Sequence, residues 1–173
     1  MGKDYFIADT HYGDENIIRY ENRPFASVQE MDTAMITKWN QVITDEDTVY
    51  VIGDFSAYHD EEKDRELLKH LNGKKMLIIG NHDTHRTPAE WRALGFMECS
   101  PWPIVYQGFF LLSHEPLYIN SNMPYANIYG HVHGNASYKD ASPQSVCVSV
   151  ERIDYQPITL DEVMRRIEGS KEA

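Results

Sequence analysis

The 173-residue chain predicts an α/β fold with mixed sheets, laid out as one domain over residues 1–173. Three observations carry that expectation. Five short runs rich in β-branched or aromatic residues each end in Asp, Asn or His. Segments with helix-capping signatures separate several of them. The second half then turns strand-rich. Strand–helix–strand alternation feeds a parallel sheet, whereas strands joined by tight turns add antiparallel pairing.

In chain order, "DYFIAD" is the first strand-like run and ends at Asp9. Ser27-Val28-Gln29-Glu30 has capping-box spacing, and Val28, Met31, Met35, Trp39 and Val42 follow at helical intervals. "TVYVIGD" ends at Asp54. Residues 61–71 form the next helix, with Leu67, Leu68 and Leu71 on one face and Gly73 as the stop. "KMLIIGN" ends at Asn81. Thr87-Pro88-Ala89-Glu90 is a second capping box with proline at the first helical position, and Gly95 closes that helix. "YQGF" at residues 106–109 is a hairpin turn between two strands. The second of these, "FFLLSH", ends at His114, and "NIYGH" ends at His131. Thr159-Leu160-Asp161-Glu162 opens a C-terminal helix to about Glu168, leaving "GSKEA" as a frayed tail. No internal repeat, linker or low-complexity segment interrupts the chain.

Apolar content of 42% and charged content of 25% are ordinary for a soluble globular protein. No apolar run approaches the ~20 residues of a membrane span, so no membrane partner is expected. The opening "MGKDYFIADTHYG" has neither an apolar leader core nor a small-residue cleavage site, and Phe6 stands where a myristoylation signal needs Ser or Thr. Two cysteines, Cys99 and Cys147, form no CxxC pair, which argues against a thiolate metal site or disulfide framework and fits the cytoplasm. A net charge of −11 opposes the repeated phosphate contacts of duplex binding, so double-stranded nucleic acid is not an expected partner.

In open α/β sheets ligands bind beyond the carboxyl ends of the strands. The residues at those ends are Asp9, His11, Asp54, Asn81, His82, Asp83, His114, His131 and His133. Carboxylates, one amide oxygen and several imidazoles suit a borderline divalent ion such as Mn, Fe, Zn or Ni. A catalytic zinc takes about three protein ligands plus water, so this set suits two ions. Two unit charges 4 Å apart repel by about 4 kcal/mol at a dielectric of 20, and two divalent ions by about 16. An anion must therefore lie between them. Asp54, after the most continuous apolar run, is the expected bridge, and Gly53 lets the backbone come close.

Each motif alone has a plainer explanation. A lone Asp-x-His is usually a turn, and a lone histidine after a strand is usually a satisfied surface residue. Five such ends in order leave those explanations little room. His59, His70 and His85 fall outside the pattern; the first two read as surface residues.

"DTH", "GD", "GNHD", "SH" and "GHVH", in that order from Asp9 to His133, resemble the calcineurin-like metallophosphoesterases. "NIIRYENRPF" and "LNGKKMLIIGNHD" are further similar to a small, capless bacterial and phage subgroup of predicted phosphoesterases. The resemblance implies a four-layer α-β-β-α sandwich with the metal centre at the sheet edges. It assigns Asp9, His11, Asp54 and His133 to one ion, and Asp54, Asn81, His114 and His131 to the other. It places His82 on the phosphoryl oxygen or leaving group, with Asp83 orienting it. Two departures stand out. Gly53-Asp54-Phe55-Ser56-Ala57 lacks the Asp-Arg pair of the longer "GDxxDRG" motif, which argues against phosphoprotein phosphatase activity, and Asp14 stands where the subgroup is expected to carry histidine.

The expected function is that of a dinuclear metal-dependent phosphoesterase acting on small phosphate esters, phosphodiesters before others, by in-line attack of a metal-bridging hydroxide. His82 and Asp83 are the expected catalytic residues. Asn81, His82 and Arg86 are expected substrate contacts, Arg86 as a phosphate clamp alongside Arg19 and Arg23. The alternatives are a phosphomonoesterase or nuclease of the same fold, or a non-catalytic metal-binding scaffold.

Overall fold

The computed structural model describes residues 2–120, 122–135, 137–138 and 144–171. Those residues form two mixed sheets and five helices, consistent with the expected sandwich. The first sheet contains β1 (Asp4–Ile7), β2 (Thr48–Ile52), β3 (Lys74–Ile78), β4 (Glu98–Ser100) and β9 (Ile158–Thr159) in the order β4-β3-β2-β1-β9. Its first four members are parallel, and β9 pairs antiparallel with β1, Tyr5 facing Thr159. The second contains β5 (Ile104–Tyr106), β6 (Phe110–Ser113), β7 (Ala126–Tyr129) and β8 (Ser145–Cys147) in sequence order. Only the β5–β6 pair is antiparallel.

Local chemistry explains the elements. Asp14 caps α1 (Glu15–Tyr20) by accepting from the N–H groups of Asn16 and Ile17. Ser27 caps α2 (Val28–Val42) by accepting from the Glu30 N–H; the Glu30 carboxylate reaches back to the N–H of Ala26, so only half of the expected box closes on Ser27. Asp60 caps α3 (Glu61–His70). The box at Thr87 and Glu90 is complete in both directions and starts α4 (Pro88–Leu94). Thr159 Oγ1 accepts from the Glu162 N–H at the start of α5 (Leu160–Lys171). That helix runs on through Gly169, so part of the expected frayed tail is helical, and Glu172 and Ala173 lie outside the described residues. Gln107 and Gly108 both have positive φ, of 50° and 69°, and the Phe109 N–H donates to the Tyr106 carbonyl at 3.2 Å. This is the type I′ turn that matches strand twist in a hairpin.

Beyond β1 the Ala8 N–H donates to the Val148 carbonyl at 2.9 Å, and the Val150 N–H donates to Ala8 at 3.1 Å. The two sheets are thereby stitched together where their polar strand ends meet. Between them lie fully buried Phe6, Ile52, Leu112 and Ile128. Among the described residues no helix is long and apolar enough to cross a membrane.

Candidate metal centre

The polar residues that follow β1, β2, β3, β6 and β7 converge where the sheets join. Asp9, His11 and His133 each place a ligand atom within 4.8 Å of the others, and Asp54, His114 and His131 do the same. Asn81 joins the second group: its Oδ1 lies 2.9 Å from His114 Nε2 and 3.0 Å from His131 Nδ1.

Backbone strain marks the same residues. Asp9, His11, Asp54, His131 and His133 all have left-handed φ, between 48° and 71°. Such a conformation costs a non-glycine residue about 1–3 kcal/mol and persists only where surrounding contacts enforce it. Two glycines make room. A Cβ on Gly53 would lie 2.1 Å from His114 Nδ1, and one on Gly80 would lie 2.3 Å from Asp54 Oδ1.

Asp54 faces both groups. Its Oδ1 accepts the His82 backbone N–H at 2.8 Å, while Oδ2 stands 3.5 Å from His11 Nε2 and 3.4 Å from His114 Nε2. One carboxylate oxygen thus lies near a ring nitrogen of each group.

The donor chemistry fits a cation. His114 Nδ1 donates to the Ile52 carbonyl at 3.0 Å, so in the neutral ring Nε2 carries the lone pair. That lone pair is directed at the oxygens of Asn81 and Asp54, acceptor against acceptor. His11 Nε2 is buried without a hydrogen-bond partner. Two atoms sharing an ion at about 2.1 Å lie about 3.0–3.4 Å apart for octahedral to tetrahedral angles. The 3.2 Å between His131 Nδ1 and His114 Nε2 falls in that range. Protons fill the role when metal is absent. Burial works against a charged His11 or His114, yet Asp14 and Asp54 around the first, and Asp54 and Asp9 around the second, carry each up to about 9. Burial also works against an ionised Asp54, but His11 and His114 hold it far below the usual carboxylate range.

Several supporting residues were not legible in the sequence. Glu151, in the 3-10 turn Val150–Arg152, accepts from His133 Nδ1 at 3.1 Å, leaving Nε2 directed toward Asp9. Arg23 pairs with the same Glu151 oxygen at 2.7 Å and donates to the carbonyls of Asp9 and Thr10. Glu21, His133 and Glu151 also cluster; His133 Nδ1 and Arg23 share Glu151 Oε1 there, while Oε2 is buried without a hydrogen-bond partner. Ser149 Oγ donates to Asp9 Oδ2 at 2.6 Å, and the His131 N–H donates to it at 2.8 Å. Asp14 Oδ2 lies 3.7 Å from His11 Nδ1, so the residue that departs from the subgroup both caps α1 and supports a candidate ligand.

Three expectations need revision. Asp83 does not orient the His82 ring. It is fully buried and accepts the backbone N–H groups of Asp54 (2.7 Å), Gly80 (2.8 Å) and Phe55 (2.9 Å). Burial, together with the charge of Asp54, lifts it to about 6. Arg86 is not a free phosphate clamp. Its guanidinium is buried, pairs with Asp64 at 2.7 Å, donates to His85 Nε2 at 2.6 Å and lies over the Trp91 ring. Arg23 is likewise consumed by Glu151 and backbone carbonyls, whereas Arg19 is exposed on α1. His82 is exposed, and its ring centroid lies 5.1 Å from that of His11, at the edge of the centre. His85 donates from Nδ1 to the His82 carbonyl at 2.9 Å and packs against His59.

The family profile described as calcineurin-like phosphoesterase matches residues 5–166. The chain is 39% identical over 178 residues to uncharacterized protein MJ1445 of Methanocaldococcus jannaschii, covering 99% of this chain and 94% of that protein. It is 31% identical over 85 residues to the Gene 66 protein of Mycobacterium phage L5, covering 48% of this chain and 41% of the phage protein. A crystal structure of a protein of unknown function, AQ665 from Aquifex aeolicus, superposes with a TM-score of 0.74 at 27% identity, over 95% of this chain and 99% of the other.

Proposed function

Since the chain belongs to the calcineurin-like phosphoesterase family, its chemical class is metal-dependent phosphoester hydrolysis, and we propose that it is a dinuclear phosphodiesterase for small esters. The observation that carries this reading is Asp54 Oδ2, 3.5 Å from one candidate ligand imidazole and 3.4 Å from another in the second group. Asp9, His11 and His133 would hold one ion, and Asn81, His114 and His131 the other, with Asp54 shared. Mn, Fe, Zn or Ni suits this oxygen and nitrogen set. Bound ions supply a nucleophilic water at neutral pH and polarise the phosphoryl oxygens.

The chain's own residues do the rest. Two divalent ions (+4) against Asp9 and Asp54 (−2) leave about +2, which draws a phosphate ester to the centre despite the acidic surface. His82, exposed beside His11, protonates the departing ester oxygen as its bond to phosphorus breaks, releasing an alcohol and leaving a phosphomonoester. Asp83 fixes the backbone of Asp54 against that of Gly80, and Glu151 fixes His133. Diesters are favoured because Arg23 and Arg86 are engaged elsewhere and leave little to hold a dianion. A net charge of −11 argues against duplex nucleic acid as substrate. Cys99 and Cys147 are free and buried, which suits a reducing compartment, and the cytoplasm is the location we propose.

The experiment is a screen of bis-p-nitrophenyl phosphate, p-nitrophenyl phosphate and cyclic nucleotides against Mn, Ni, Zn, Fe and Mg. Diester turnover with Mn or a similar ion is the expected result. Turnover of monoesters alone would replace diesters with monoesters, and tight, salt-sensitive duplex binding with cleavage would make the protein a nuclease.

A further inference from the structure

A groove of about 380 Å³ opens from the metal centre. Asn81 and His114, of the second ligand group, line it together with Leu117 and Trp102. Its volume lies within the range of small-molecule sites, about 300–1,000 Å³. Glu115 is the charged side chain in its lining besides the candidate ligand His114, and the lining holds neither Lys nor Arg.

Trp102 is 73% exposed, an unusual setting for so large an apolar ring. Its backbone is nevertheless held in place. Pro101 and Pro103 flank it, and a following proline restricts the backbone of the residue before it. The Ser100 hydroxyl accepts the Trp102 N–H at 3.2 Å and donates to the Trp102 carbonyl at 2.7 Å. A ring carried on a restrained backbone has only its two side-chain torsions left to order when a ligand stacks on it.

We propose that this groove receives the organic group that a phosphodiester retains on phosphorus after cleavage, and that it selects a planar, uncharged aromatic group stacked on Trp102. The inference rests on the phosphodiesterase reading and names its substrate class. His82 stands against His11, so the departing group belongs with the first ion's ligands. Asn81 and His114 line the groove, so the retained group belongs with the second's. A monoester has no second substituent to place there. Glu115, with no Lys or Arg in the lining to offset it, disfavours an anionic substituent.

The test uses p-nitrophenyl diesters whose retained group is methyl, phenyl or 4-carboxyphenyl, assayed with Mn and corrected for uncatalysed rates. Stacking and burial of one ring are expected to raise kcat/KM for phenyl over methyl by about tenfold. Trp102→Ala should bring that ratio close to one, Trp102→Phe should keep part of it, and Glu115→Gln should narrow the gap between phenyl and 4-carboxyphenyl. Trp39 and Trp91 are fully buried, so Trp102 also reports binding without turnover. Diphenyl phosphate should quench tryptophan emission where dimethyl phosphate does not, and Leu117→Asp should abolish the effect. A flat ratio in a protein that hydrolyses all three diesters overturns the groove assignment and leaves the phosphodiesterase reading intact. Absence of any turnover overturns that reading, and the fluorescence titration then decides the groove, no quenching being the negative result. If Trp102→Ala changes the mass in sedimentation equilibrium but not the ratio, the face belongs to a second copy of the chain and the proposal fails.

Discussion

Oε1 of Glu151 lies 3.1 Å from Nδ1 of His133 and accepts its hydrogen bond, so the Nε2 lone pair of the neutral ring is turned to Asp9. Outer partners of this kind set ring orientation and raise ligand basicity, and losing one typically costs 10–100-fold in metal affinity. Glu151→Gln keeps an acceptor but drops the charge. Its affinity for the first ion should fall by about tenfold, the low end of that range, with the second ion little affected. Competition against a chromogenic chelator would read both constants, and equal losses at both sites would contradict the assignment.

Asp54 offers one oxygen to both ligand groups. Asp54→Asn should lose both ions together, because Asp54 is the carboxylate whose one oxygen lies within 3.5 Å of a ring nitrogen in each group. Elemental analysis checks this; one ion retained at full occupancy would falsify the bridge. In the wild type, metal at 100 times its dissociation constant should stabilise the fold by about 2.7 kcal/mol per ion, and a chelator should reverse the gain in thermal unfolding.

His82 touches Asp54 only through its backbone, so its imidazole is not needed to fill either group. His82→Ala should retain both ions and lose turnover by about 10²–10⁴-fold. The loss should shrink for p-nitrophenyl esters relative to alkyl esters, whose leaving oxygen needs the proton more. Equal losses across that series would identify charge stabilisation instead of proton donation.

Arg86→Ala should be a stability variant. It strands the carboxylate of Asp64, fully buried and paired with Arg86 at 2.7 Å. Breaking one side of such a pair costs about 3–5 kcal/mol. Urea denaturation should show that loss while KM in the surviving folded fraction stays near wild type; a large rise in KM at unchanged stability would restore the phosphate clamp.

Asp47 carries a pH signature away from the metal centre. Its carboxylate accepts from the Lys3 N–H at 2.7 Å and from the N–H and hydroxyl of Thr44, and these bonds hold it below the ordinary aspartate value. With the folded value under the unfolded one, the contribution is present above the unfolded value, about pH 4, and is lost as pH falls through the folded one. Asp47→Asn should lower stability at pH 7 by about 1–2 kcal/mol and flatten the acid limb of the stability profile, as measured by denaturation between pH 3 and pH 7 on about half-unit steps.

The sequence made the strand ends legible because their signal is local: an apolar run followed by Asp, Asn or His needs no tertiary information. Helices α2, α4 and α5 announced themselves through capping signatures, and α3 through its leucine face and the glycine that follows it. Helix α1 was missed because six residues cannot display a helical period, and β4, β8 and β9 because two or three residues cannot display alternation. Glu151 had no such signal, since its partner Arg23 is 128 positions away in the chain. Asp83 and Arg86 show the opposite limit. Their motif was visible, but only the fold determines whether a carboxylate faces a neighbouring ring or three backbone N–H groups, and whether a guanidinium faces a phosphate or Asp64.

The junction of the two sheets has a consequence for how the protein is made. Asp9, Asp54 and Asn81 follow strands of the first sheet, while His114 and His131 follow strands of the second. A nascent chain leaving the ribosome presents the carboxylates and the amide well before the imidazoles that complete their pockets, and Glu151 emerges later still. The proposed pair of sites would be complete only once the second sheet has been translated and docked at Ala8, so metal acquisition would be timed to the end of synthesis and not to its beginning.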